Sequence, residues 1–143
     1  MNESVALVFA ILAGIFTTLE AAINAKLGKL VTPKIATLHN LITGVIVILI
    51  ANIFKGTIHQ YRQILHVNPQ LLIGGIFGTF IVYFVTKAIP KLGIATTLTL
   101  IVASQVISGL LIDIFISKHD HLNWMKCMGI FFLLVGTYLT IKH

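Results

Sequence analysis

The chain has 143 residues, of which 57% are hydrophobic and only 10% are charged, and its mean hydropathy is +1.01. Soluble domains carry about 25% charged residues, so this composition excludes a soluble globular domain and a disordered tail. The single cysteine, Cys127, excludes an internal disulfide. The formal charge of +6 could suggest nucleic-acid binding, but the lysines lie between apolar blocks, as residues that flank membrane helices do. We therefore expect an integral membrane protein with no nucleic-acid partner.

Five apolar blocks are long enough to cross a membrane, because a helix needs roughly 20 residues to span about 30 Å of hydrocarbon. The blocks are continuous rather than alternating, which favours helices over strands. Pro33 and Pro69 stand at or just before the second and third blocks, and Pro90 with Gly93 predicts a tight turn after the third. The chain is therefore predicted to be an all-α membrane protein, a single transmembrane domain over residues 1–143, multi-pass in the cell (plasma or inner) membrane. The predicted spans are residues 5–25, 35–54, 69–86, 92–112 and 122–141.

The basic residues are divided almost evenly between the two sides of the membrane. Five spans place six lysines on the side of the C-terminus and four basic residues on the side of the N-terminus. Because Lys and Arg favour the cytoplasmic side, the count weakly favours an N-terminus outside, and insertion in both orientations is the open alternative. The six are Lys26, Lys29, Lys34, Lys87, Lys91 and Lys142, and the four are Lys55, Arg62, Lys118 and Lys126.

Glu20 is the only acidic residue well inside a predicted span. An ionised carboxylate near the bilayer centre is costly, so such residues usually face a cavity or a partner. Thr17 and Asn24 lie on the same helical face as Glu20, and a low dielectric favours the neutral acid, which suits proton coupling. We therefore predict that these three residues line a pathway in which Glu20 binds a proton or a cation. A Glu20 that reaches the membrane surface or pairs with Lys26 is the alternative.

The other polar residues inside the spans are more ambiguous. Ser104 and Ser108 in the fourth span could bind a substrate, but hydroxyls also join helices to one another. Gln105 in the same span is large and central, and both roles are open for it. His39, next to Asn40 near the start of the second span, is expected to face lipid headgroups. The site predicted from the sequence therefore combines Thr17, Glu20 and Asn24 with Ser104, Gln105 and Ser108.

Several small residues predict close helix packing rather than chemistry. Gly74 and Gly78 are one helical turn apart in the third span, and Gly44 lies inside the second. Glycines at this spacing allow two membrane helices to approach closely. We therefore assign these three glycines to helix packing.

No catalytic or cofactor-binding motif is recognisable in the sequence. A Ser/His/Asp set, a phosphate-binding loop and a dinucleotide fingerprint are all missing, so we expect neither an enzyme nor a cofactor. The His and Asp residues of the segment 118–121 could ligate zinc, but a zinc site needs three or four rigidly held ligands. A solvated connection is the favoured interpretation of that segment, and no metal site is predicted.

Two segments of the chain resemble a known family. Residues 13–28 read AGIFTTLEAAINAKLG and residues 90–113 read PKLGIATTLTLIVASQVISGLLID. The most specific parts are N-A-x-L-G at residues 24–28 and the S-Q…I-D pattern that begins at Ser104. These segments are similar to the YdcZ (DUF606) family, small five-span members of the drug/metabolite transporter superfamily, and the resemblance covers nearly the whole chain. That family commonly has Gln at the position of Glu20. Because larger members of the superfamily have ten spans in two inverted halves, the resemblance implies that this chain is one half.

These features together predict a small secondary transporter. It would be a proton-coupled exporter or antiporter of a small cationic or polar metabolite or drug. It would act as an antiparallel homodimer, or as a heterodimer with a paralogue, and contact membrane lipid. Glu20 from both copies, with Asn24 and Gln105 nearby, would form a site near the membrane midplane. An accessory subunit of a heteromeric transporter, a flippase for a lipid-linked substrate and a passive channel for a small ion are the alternatives.

Overall fold

The protein is described by a computed structural model over residues 2–112 and 124–142, and its regular structure within these ranges is entirely helical. This confirms the predicted all-α class. The segment 118–121 and the predicted start of the fifth span at residue 122 lie outside the described residues. The helices are α1 (Glu3–Leu30), α2 (Pro33–Phe54), α3 (Gly74–Leu92), α4 (Ile94–Ile112) and α5 (Trp124–Lys142). Two 3₁₀ segments, Ile58–His66 and Pro69–Ile73, lie between α2 and α3.

Within the described residues, four helical stretches have the length and hydropathy of a membrane crossing. These are α1, α2, the continuous stretch Pro69–Leu92, and α4. The apolar part of α5 is shorter and covers Cys127–Lys142. A helix satisfies its backbone hydrogen bonds within itself, so several such helices are suited to hydrocarbon. The architecture is therefore that of an all-α, multi-pass membrane protein.

Two helices continue well beyond the ends of the predicted spans. Helix α1 continues to Leu30 and so includes Lys26 and Lys29, whose long side chains allow their charges to lie away from the helix axis. Helix α3 continues to Leu92 and contains Pro90, which was wrongly placed in the following turn. A proline this close to a helix end removes a single backbone hydrogen bond and is therefore tolerated. Gly93 alone makes the turn, with a φ of +83°.

The chain divides into two compact units, residues 1–91 and 92–143. In the first unit α1 packs against α2, and in the second α4 packs against α5. A single transmembrane domain over the whole chain stays a prediction.

Among the described residues, the buried apolar side chains are almost all small, whereas most of the large apolar side chains are exposed. This is the inverse of a soluble core. It is typical of helices in lipid, where small residues allow close approach and large ones face the hydrocarbon. The buried set is Ala21, Ala25, Ala36, Ile89 and Ala103, and the exposed set includes Leu7, Phe9, Ile11 and Phe16.

Candidate functional site

Glu20 on α1 is joined to Asn40 on α2 by a side-chain hydrogen bond. The Asn40 Nδ2 atom donates to Oε1 of Glu20 over 2.7 Å. Asn40 is half-buried and Glu20 is exposed. A hydrogen bond of this length holds the Glu20 side chain towards α2. In the sequence Asn40 is only the neighbour of His39, since nothing in the spacing shows which residue of α2 faces Glu20.

An open groove with a volume of about 960 Å³ lies beside this pair, bounded by α1, α2 and α3. Its polar side chains are Glu20, Asn40 and Thr43, and the Thr43 hydroxyl donates to the His39 carbonyl over 2.9 Å. Glu20 and Asn40 are thus the groups that the open groove offers to a ligand. A small molecule with apolar surface and one positive group would fit such a lining. The apolar lining includes Phe16, Leu19, Ile23, Val45, Ile48 and Val82.

A second, much smaller cavity of about 40 Å³ lies between α1 and α3, and we refer to it as the α1–α3 cavity. Thr17, Glu20 and Asn24 line it from α1, and Thr86 lines it from α3. Asn24 is 5% exposed and Thr86 is 1% exposed. The three residues of α1 predicted to form the site therefore do share one cavity. Thr86 was not predicted as a site residue, since in the sequence it only marks the end of the third span.

The remaining predicted site residues lie in the second unit, on α4. Ser104, Gln105 and Ser108 are all exposed there. The Ser104 hydroxyl donates to the carbonyl of Ile101 over 2.8 Å. A substrate-binding role for these three residues stays a prediction.

The glycine at which two helices approach closely is Gly28, not one of the three assigned to packing. A Cβ atom on Gly28 would lie 2.7 Å from the Thr86 Cγ2 atom. A Cβ atom on Gly44, Gly74 or Gly78 would meet nothing within 4 Å in the described chain. Gly44 and Gly78 instead border the open groove. The role in helix packing assigned to Gly44, Gly74 and Gly78 stays a prediction.

Long apolar helices with a buried core of small residues define a multi-pass membrane protein. The family model described as "Putative inner membrane exporter, YdcZ" matches residues 5–139. The chain is also similar to the inner membrane protein YdcZ of Escherichia coli (strain K12). The two are 31% identical over an alignment of 147 residues, which covers 100% of this chain and 99% of that protein. No solved structure matches the chain significantly. The chain therefore belongs to the YdcZ family, whose description is that of a transporter rather than an enzyme.

Proposed function

We propose that the chain is a secondary transporter, not an enzyme, that exports a small cationic or polar molecule in exchange for protons. The observation that carries this proposal is the hydrogen bond from Asn40 to Glu20 at the edge of the open groove. It gives a mostly apolar groove one ionisable group. The direction of transport is supported by the description of the family as an exporter.

The exchange follows from the charge on Glu20. When Glu20 is ionised, it attracts a cation into the open groove, and Asn40 occupies Oε1 so that Oε2 is left for the ligand. Opposite charges about 4 Å apart attract by about 4 kcal/mol at an effective dielectric constant of 20, which is roughly a thousandfold in affinity. A proton on Glu20 removes that attraction. Proton and cation therefore exclude each other, and each crosses the membrane only against the other.

A second copy in the opposite orientation would complete the transporter. Among the described residues of the first unit, the open groove is uncovered on one side, and Glu20 is exposed there. An ionisable residue inside the membrane needs a cavity or a partner, and inverted repeats place their binding sites near the midplane at the repeat interface. An antiparallel homodimer, or a heterodimer with a paralogue, would cover the open groove. Two such five-helix chains would also supply the ten helices expected of the superfamily.

The test is transport by the purified chain in liposomes, with tetraphenylphosphonium as an apolar cationic probe and an entrapped dye that reports pH. We expect the probe to drive proton movement in the opposite direction. Glu20→Gln keeps the shape of the side chain but cannot ionise, so it should abolish this coupling. Glu3→Gln makes the same chemical change at the exposed start of α1 and should leave the coupling intact. Coupled transport that survives in Glu20→Gln would refute the proposal.

A further inference from the structure

Three helices meet near one end of the first unit, and a lysine directly follows each of the residues that meet. A Cβ atom on Gly28 of α1 would lie 2.7 Å from the Thr86 Cγ2 atom of α3 and 3.5 Å from the Cα atom of Pro33, which begins α2. The three lysines are exposed, and they are Lys29, Lys34 and Lys87. The packing of the helices therefore brings three basic residues to the same end of the unit.

The positive charge at this end is not balanced by acidic residues nearby in the sequence. Lys26 and Lys91 belong to the same ends of α1 and α3, which makes five lysines in all. Residues 21–91 contain no Asp or Glu. Like charges repel one another unless an opposite charge lies close to them. This end of the first unit therefore attracts an anion.

A groove of about 310 Å³ opens between α2 and α3, and we refer to it as the α2–α3 groove. Its lining residues are Lys34, Thr37, Leu38 and Leu41 from α2 and Thr79, Phe80 and Tyr83 from α3. The hydroxyls of Thr37 and Thr79 donate to the backbone carbonyls four residues earlier, over 2.8 and 2.9 Å. Among the described lining residues Lys34 alone is charged. The groove is thus mostly apolar, with one basic residue in its lining.

The α2–α3 groove runs along the two helices from a basic end to an apolar end. Lys34 and Leu41 are seven residues apart on α2, which is about 10 Å along the helix axis. Tyr83 is one helical turn from Thr86 on α3 and so lies at the basic end. The Lys87 Nζ atom lies 5.7 Å from the centre of the Tyr83 ring, which brings a second positive charge close to the lining. A phospholipid has the same polarity, because its charged phosphate lies at the membrane surface and its acyl chains extend into the hydrocarbon.

We propose that the α2–α3 groove binds an anionic phospholipid of the membrane. Lys34 and Lys87 hold its phosphate, as basic pockets between membrane helices hold anionic headgroups. One acyl chain lies against Leu38 and Phe80, which are 54% and 51% exposed in the chain alone. A soluble anion fits less well, because an apolar lining offers it nothing to bind beyond the lysines. The inference does not involve Glu20 and is therefore independent of the proposed function.

The experiment titrates the detergent-purified chain with phosphatidylglycerol or phosphatidylcholine of the same acyl chains and measures bound lipid by native mass spectrometry. Each lysine near an anionic lipid contributes about fivefold in affinity, so we expect the wild type to prefer phosphatidylglycerol roughly 25-fold. Lys34→Gln should reduce this preference to about fivefold, whereas Lys34→Arg keeps the charge and should retain it. Leu38→Trp fills the groove and should cause loss of binding of both lipids.

Lys55→Gln is the matched control, because it removes the same charge at the opposite end of the same helix, where Lys55 is also exposed. It should keep the wild-type preference. Equal affinities of the wild type for the two lipids would overturn the inference. An equal loss of preference in Lys55→Gln would overturn it too, since it would show a diffuse attraction to the whole basic surface. Glycerol phosphate carries the anion without an acyl chain and should not displace the lipid, and displacement would indicate a site for a soluble phosphate ester instead.

Discussion

Gly28 is the position where an added methyl group should be most harmful within the first unit. In Gly28→Ala the new Cβ would lie 2.7 Å from the Thr86 Cγ2 atom, whereas carbon atoms in contact normally lie about 3.5–4.0 Å apart. The same Cβ would lie 3.5 Å from the Pro33 Cα atom. Since Pro33 begins α2, α1 cannot move away from Thr86 in that direction without overlap. The methyl group can be accommodated only if the Thr86 side chain changes rotamer or α1 and α3 separate.

Two terms of opposite sign set the size of the effect. Overpacking in a close contact costs about 1–3 kcal/mol, whereas alanine is about 1 kcal/mol better than glycine inside a helix. Gly14→Ala makes the same change in the same helix, but its Cβ meets nothing within 4 Å in the described chain. The propensity term cancels between the two variants, so their difference isolates the packing term. We expect Gly28→Ala to be less stable than Gly14→Ala by about 1–3 kcal/mol.

The assay is thermal unfolding of the detergent-purified variants followed by circular dichroism. For a chain of this size the expected difference corresponds to roughly 4–12 °C in the midpoint. Thr86→Ser removes the Cγ2 atom and keeps the hydroxyl, so it should restore most of the stability that Gly28→Ala loses. Equal midpoints for the two glycine variants, or no restoration by Thr86→Ser, would show that α1 and α3 do not approach as described.

The remaining predictions concern the site, two helix ends and the orientation of the chain. Asn40→Leu removes the donor to the Glu20 carboxylate and should weaken cation binding roughly tenfold in a binding titration, while unchanged affinity would contradict its role. Thr32→Ala removes the hydroxyl that accepts from Ile35 N at 3.2 Å at the start of α2 and should lower the free energy of unfolding by about 1 kcal/mol. Gly93→Ala places a Cβ at a φ of +83° and should cost about 1–2 kcal/mol, with Gly93→Asn less harmful than Gly93→Ala. Compartment-specific reporters fused after the last residue should give signals on both sides of the membrane if the chain forms antiparallel homodimers, and a one-sided signal would require a paralogue.

The sequence was sufficient to predict the helices because each depends on local composition. A run of apolar residues long enough to cross the hydrocarbon of a membrane folds as a helix. This conclusion does not depend on which other helices lie next to it. The ends were predicted less well. Lys26 and Lys29 were counted in the loop after the first span, although α1 continues to Leu30. Charge patterns mark where hydrocarbon ends rather than where a helix ends, because a helix can extend into the headgroup region.

Scarcity of charge identified Glu20, and helical periodicity placed Thr17 and Asn24 on its face. Both are properties of one helix. The partners Asn40 and Thr86 lie on other helices, 20 residues and more away in the chain, and only the packing of α1 against α2 and α3 decides that they meet Glu20 and Asn24. That packing depends on where a helix carries a glycine, because a glycine has no side chain to keep a neighbouring helix away. Sequence spacing could not distinguish Gly28, where an added Cβ would meet Thr86, from Gly74 and Gly78, where it would meet nothing within 4 Å in the described chain.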